Sequence, residues 1–312
     1  MSSRGTVEFV KFSVWTNPAH SMDETLDLAR FADAEGWHAM WYADHYMNNT
    51  GSTEAPLGPV HECWSVIPAL AAVTERLRLG TLVAPTTFHH PSLLANRAAT
   101  IDHLSHGRFV LGLGAGWQIN EHAAYGVELP EPKPRVDRFA EAIEIIRSLL
   151  TEERTTFEGE YFQFTDAPCD PKPVQSPLPI LVGSAGPRML RLVCRFADEW
   201  NAWGAPDLVA KGVEKLERAC VDTGRDPASI RRTCQAMVFL TEDESLITNI
   251  RDGDMGERSI VGPASQLVEE LGRYDELGID EFIVPDFTFG GGLDERLDQY
   301  RLFQAEVASH FA

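Results

Sequence analysis

The sequence predicts an α/β fold: a single (β/α)8 TIM barrel with loop insertions at its C-terminal face. Three observations carry that prediction. Short apolar, strand-like runs alternate eight times with segments of helical spacing, the rhythm of a parallel sheet whose crossovers are helices. The chain has 312 residues, 44% of them hydrophobic, enough for one barrel of roughly 250 residues plus insertions. No Gly/Ser/Pro linker divides it, and no repeat appears beyond the βα rhythm, so residues 1–312 read as one domain.

Val7 to Val14 alternates apolar and polar residues and reads as the first strand. Met22 to Glu35 follows with apolar residues at helical spacing, Ser21 as N-cap and Gly36 at the close. His38 to Ala43 is the second strand, ending in Asp44-His45, and residues 46–61 form a loop too long for a simple connector. Glu62 to Glu75 is helical, Leu77 to Ala84 is the third strand, stopped by Pro85, and Pro91 starts a helix to Leu104. The fourth strand, Arg108 to Leu113, is a near-continuous apolar run suited to a sheet covered on both faces. It ends in Gly114-Ala115-Gly116, then a polar and aromatic loop. Arg135 to Leu150 is an amphipathic helix, and Thr155 to Phe164 a hairpin around Glu158-Gly159 outside the barrel rhythm.

Pro179 to Gly183 is the fifth strand, with a helix from Arg188 to Ala197. Glu199 to Trp203 is the sixth, followed by a helix over Asp207 to Thr223, and Arg231 to Leu240 is the seventh. Asp243 to Ser259 reads as polar and irregular. Pro263 to Leu277 is a helix, Glu281 to Pro285 the eighth strand, and Asp294 to Phe311 the closing helix.

Composition excludes several functions. A net charge of −20 repels phosphate backbones and anionic membranes, so nucleic acid and membrane surfaces are not expected partners. Five scattered cysteines without a CxxC pair read as reduced thiols in a cytoplasmic protein. The N-terminus shows no signal-peptide h-region, no apolar run approaches a membrane span, and Asn48-Asn49-Thr50 is then an accidental sequon.

In such barrels chemistry lies where strands end and βα loops begin. That rule selects Asp44 and His45, the end of strand three, Gly114 to Gly116, and Gly183-Ser184-Ala185-Gly186. Histidine titrates near neutrality, so His45 is the leading acid/base candidate, with Asp44 beside it to tune or orient the ring. A structural imidazole beside a loop-capping aspartate is the competing reading. Gly183 to Gly186 offers backbone N–H groups to an anion ahead of a helix, with Arg188 near enough to assist, or else is a plain turn. Gly112 to Trp117 fails the dinucleotide GxGxxG pattern at Trp117. His89-His90 and His103…His106 lack ligand partners at metal spacing, so no metal is expected.

The blocks EGWHAMWYADHY, LGTLVAPTTFHHPSLLANRAATIDHLSHGRFVLGLGAGW, NEHAAYG, PILVGSAGPRMLRLVCRFADEWN and IVGPASQLVEELGRYDELGIDEFIV fall in order along nearly the whole chain. Together they resemble the luciferase-like flavin- and deazaflavin-dependent oxidoreductases. The ADH of strand two and the AGW…NEH block look most like members that use coenzyme F-420. The resemblance implies a barrel holding a tricyclic cofactor at its mouth, Asp44 and His45 facing the reactive ring, and a bulge at Thr81, Leu82 and Val83 with a possible non-prolyl cis peptide. It places Ala115, Gly116 and Asn120 along the cofactor, gives Gly183 to Gly186 the phosphate, and implies a homodimer. Trp117 stands where the family's sugar-phosphate dehydrogenases keep a catalytic glutamate, which argues against a sugar phosphate. The implied activity is hydride transfer between F-420 and a small organic substrate. The alternatives are an FMN-dependent monooxygenase and a barrel that binds flavin without turning it over.

Overall fold

The computed structural model describes residues 10–311. From Lys11–Thr16 (β1), Met22–Ala34 (α1), Ala39–Tyr42 (β2) and Cys63–Val73 (α2), the chain passes through Arg78–Thr81 (β3), Ala84–Pro85 (β4), Pro91–Leu104 (α3) and Phe109–Gly114 (β5). Ile119–Tyr125 (α4), Pro132–Thr151 (α5), Thr155–Glu158 (β6), Gln163–Ala167 (β7), Ile180–Gly183 (β8) and Pro187–Phe196 (α6) follow. Then come Glu199–Trp203 (β9), Pro206–Thr223 (α7), Arg231–Gln235 (β10), Met237–Leu240 (β11), Glu244–Asp252 (α8) and Ser259–Gly262 (β12). Ala264–Glu276 (α9), Glu281–Pro285 (β13) and Leu293–Glu306 (α10) close the fold.

Eight parallel strands run in the order β3-β2-β1-β13-β10-β9-β8-β5, and β5 pairs back onto β3, so the sheet closes into the expected (β/α)8 barrel. Local chemistry explains the elements. Ser21 and Glu24 form a full capping box on α1. Arg108, just before β5 at its N-terminal end, donates to Ala71 O and Thr74 O at the end of α2 and to Leu77 O beyond it. Inside the barrel, Trp15, Trp41, Val110, Leu181 and Ile283 make their own apolar cluster, separate from the larger core between strands and helices. Gly80 is required there: a Cβ on it would lie 2.4 Å from the Trp41 ring.

Four expectations need correction. The first strand runs to Thr16, and Val7 to Phe9 lie outside the described residues. The third strand breaks after Thr81 at a cis peptide between Leu82 and Val83, and Pro85 continues it in β4 rather than stopping it. The seventh strand leaves the barrel after Gln235, because Met237–Leu240 pairs with β12 in a separate two-stranded parallel sheet. The stretch 243–259 is therefore not irregular: it holds α8, which Asp243 caps through Ser245 N and Leu246 N, and delivers β12.

Candidate active site

The mouth of the barrel is built from the ends of its strands. On the side of β3, β5 and β8, side chains give way to backbone. Val83, half-buried, lies between Gly114 and Gly183; a Cβ on Gly114 would sit 2.7 Å from Val83 Cγ2, and one on Gly183 3.3 Å from Val83 Cγ1. Gly116, at φ +87°, lets the Thr87 hydroxyl approach where a side chain would stand. The result is a flat platform of main chain and one isopropyl group. Thr81 is behind it: its hydroxyl donates to Gly112 O at 2.7 Å and accepts from Gly112 N at 2.9 Å. That side chain fastens β3 to β5 and is not available to a ligand. Leu82 is buried, and Ala115 half-buried, beside the same platform.

His45 and Asp44 follow β2 but do not act on each other. His45 Nδ1 lies 3.0 Å from Glu121 Oε1, while Tyr46 N donates to Glu121 Oε2 at 2.9 Å. A carboxylate only accepts, so the proton sits on Nδ1 and Nε2 is the free nitrogen of a ring that is partly exposed. Trp117 stands edge-on to that ring, with centroids 5.7 Å apart. The Asp44 carboxylate faces the other way. Its Oδ2 accepts from Trp64 Nε1 at 2.9 Å and from His89 Nε2 at 2.7 Å, and Arg97 Nη1 lies 3.4 Å from His89 Nδ1. The expectation that Asp44 orients His45 is replaced by two separate pairs, His45–Glu121 and Asp44–His89. In the sequence Glu121 is one polar residue of a loop and, with Asp44, a fallback for the acid/base role, and His89 is a weak metal candidate; neither pairing is legible there.

Helix α4 was missed, and it organises the loop. Gln118 Nε2 donates to Met47 O at 2.8 Å, Asn120 Nδ2 donates to Asn48 O at 2.7 Å, and Glu121 holds residues 45 and 46. Three side chains of one short segment thus clamp the start of the 46–61 loop. His122 anchors α4 in turn through Thr87 Oγ1 at 2.8 Å. Asn120 therefore spends its amide nitrogen on the loop.

At β8, Gly183 and Ser184 are half-buried, Ala185 and Gly186 are exposed, and nothing lies within 4 Å of a Cβ on Gly186. No side chain caps α6, so its first N–H groups remain for an anion. Ser184 Oγ already accepts from Gly186 N at 3.3 Å. Arg188 does not assist: it pairs with Asp137 and reaches Lys133 O at 3.3 Å on α5.

Two buried acceptors in this region have no donor, Asp44 Oδ1 and Asn120 Oδ1. An unpaired buried acceptor is costly. A flat platform, two unsatisfied acceptors and an uncapped helix N-terminus suit a planar cofactor that has N–H and hydroxyl groups and a phosphate on its side chain. Among the described residues no group of three or more His, Cys, Asp or Glu is arranged to hold a metal ion.

The family described as luciferase-like monooxygenase matches residues 4–249. An F-420-dependent glucose-6-phosphate dehydrogenase of Kineococcus radiotolerans is 35% identical over 70% of this chain, and the match spans 64% of that relative's length. A protein of the same description from Intrasporangium calvum is 30% identical over 84% of this chain and 88% of its own. Among solved structures, an F-420-dependent secondary alcohol dehydrogenase in complex with an F-420–acetone adduct superposes with a TM-score of 0.80 at 19% identity, over 96% of this chain and 99% of that one.

Proposed function

The chain belongs to the luciferase-like monooxygenase family, and we propose that within it this protein is a coenzyme F-420-dependent oxidoreductase. It moves a hydride between the deazaflavin and a small organic substrate. The observation that carries this reading is His45, whose Nδ1 lies 3.0 Å from Glu121 Oε1 so that Nε2 is left free, at a barrel mouth that Gly114, Gly116 and Gly183 help to line. The named relatives favour the deazaflavin over flavin.

Gly114, Gly116, Gly183 and Val83 would lie under the ring system, Asp44 Oδ1 and Asn120 Oδ1 would accept from its polar groups, and the N-terminus of α6 would take the phosphate. When bound, the coenzyme supplies the hydride acceptor or donor. The chain supplies position and proton handling. His45 Nε2 takes the substrate's hydroxyl proton when the carbon is oxidised and returns one when it is reduced. Glu121 keeps the ring in that tautomer and stabilises it when charged. Trp117, 56% exposed and edge-on to His45, stands where the resemblance puts the catalytic glutamate of the sugar-phosphate dehydrogenases, which argues against a sugar phosphate as substrate.

The test is an absorption titration of the purified protein with F-420 and, separately, with FMN, together with oxygen uptake. Tight F-420 binding without oxygen consumption is expected. Tight FMN binding with oxygen uptake would select the monooxygenase reading, which the family description favours. The five buried free thiols fit a reducing, cytoplasmic setting, and no helix among the described residues is long and apolar enough to cross a membrane. A homodimer is expected; sedimentation showing a monomer at micromolar concentration removes that claim.

A further inference from the structure

We propose that Trp15, Trp203 and Phe287 form the substrate half of the barrel mouth and select an uncharged, largely apolar compound bearing a carbonyl or hydroxyl oxygen; this rests on reading the mouth as a hydride-transfer site. The mouth is divided. Its β3, β5 and β8 side is backbone and the Val83 isopropyl group, whereas β1 carries an inward tryptophan one residue before its end and β9 ends in one. Trp15 and Trp203 meet edge to face at 5.2 Å, and Phe287, just beyond β13, packs on Trp15 at 4.8 Å. Trp15 belongs to the apolar cluster inside the barrel, and Trp203, Phe287 and Val83 of the platform, all partly buried, pack against it.

The indole N–H groups of Trp15 and Trp203 are buried without a hydrogen-bond acceptor, whereas that of Trp41, deeper in the barrel, is bonded to Glu281, and Trp15 is only 6% exposed. Buried indole donors normally find a partner. Two orphans, from β1 and β9 with β13 and β10 between them in the sheet, meet in one aromatic cluster and mark a place where an acceptor oxygen binds. The surroundings decide what carries that oxygen. The arginines that reach the barrel interior, Arg78 and Arg231, enter at the N-terminal ends of β3 and β10, where Glu199 and Glu281 pair with them. A phosphate or carboxylate at the aromatic end would have neutral N–H donors alone, in a chain of net charge −20. A neutral oxygen on an apolar skeleton satisfies both donors and buries against three rings.

The test uses 15N-labelled protein loaded with whichever of F-420 or FMN it retains, so failure of the cofactor reading shows in that separate titration. Cyclohexanone is the probe, and the seven indole N–H resonances are the readout. Trp15→Phe and Trp203→Phe assign two of them, and unchanged remaining resonances report the fold. Cyclohexanone is expected to shift these two selectively, glucose 6-phosphate to leave them in place, and each variant to weaken cyclohexanone binding about three- to tenfold with cofactor affinity unchanged. The proposal is overturned if cyclohexanone moves neither resonance, if the cofactor alone brings both to their final positions, or if glucose 6-phosphate moves them instead. Should one variant fail to fold, the wild-type shifts and the other variant decide.

Discussion

At the scale of single residues, the site depends on contacts between positions far apart in the chain. Glu121 and His45 are 76 positions apart, and His89 and Asp44 are 45 apart. The sequence marks Asp44 and His45 because strand ends are functional in this fold, and that rule knows nothing of their partners. Adjacency suggested that Asp44 serves His45. Successive residues past a strand point to opposite sides, and here each found its own partner. The consequence is testable. His45→Ala should keep the fold and most cofactor affinity while turnover falls by roughly a hundredfold or more, the usual scale for a general acid/base. Glu121→Gln still offers His45 an acceptor but no charge, and should cost about tenfold in turnover. Cofactor titration and single-turnover reduction on both variants check this. Full-rate reduction by His45→Ala would move the proton-handling role elsewhere.

At the scale of elements, caps and alternation were legible, and departures from regular strands were not. Ser21 announces α1 because a capping box is local. The break in the third strand is not local: it depends on how β3 and β4 meet β5, with Thr81 bonded to Gly112 across 31 positions. Met237 to Leu240 continues an apolar run that looks like one strand, yet its partner is β12, which no period reveals. The crossing of β3 and β5 gives a stability prediction. A Cβ on Gly112 would lie 1.9 Å from Thr81 O, so Gly112→Ala must push two barrel strands apart at a backbone atom. We expect a loss of about 3 kcal/mol, the upper end for overpacking, read from urea unfolding; a change within about 0.5 kcal/mol, as at ordinary surface sites, would contradict the close contact. The loop ahead of α6 gives a second prediction. Gly183→Asp adds bulk toward Val83 and a negative charge near the uncapped helix end, and should weaken cofactor binding at least tenfold, about 1.4 kcal/mol. Unchanged affinity in a folded variant would remove the phosphate from this loop.

At the scale of the whole molecule, the barrel has two unlike ends, and the sequence foretold only one. The open C-terminal mouth follows from glycine and polar residues after strands. The N-terminal floor is a buried ionic cluster whose members, Arg78, Glu199, Arg231 and Glu281, sit singly at four strand starts and form no motif. Ser13 and Trp41 donate to Glu281, which is fully buried. Burial alone would raise its carboxyl, but Arg231 and Arg78 override that and hold it below the usual range. His38 lies beside the cluster, and its Nε2 accepts from Arg231 Nη2 at 3.0 Å. Burial, reinforced by Arg231 and Arg78 against the opposing pull of Glu281, pushes His38 down from 6.5 to about 4. The sign follows from linkage. Between about pH 6.5 and 4 the unfolded chain binds a proton at this histidine and the folded chain does not, so stability falls as pH falls through that window. A shift of this size corresponds to roughly 2–3 kcal/mol by pH 4.5. Glu281, with its folded value depressed, adds stability above its unfolded value of 4.5 that is lost only at lower pH, so the two contributions separate. His38→Gln keeps an acceptor for Arg231 and cannot titrate. Urea unfolding at pH 7 and pH 4.5 should show a stability loss smaller by about 2 kcal/mol in His38→Gln than in the wild type, whereas equal losses would mean that His38 is protonated in the folded barrel.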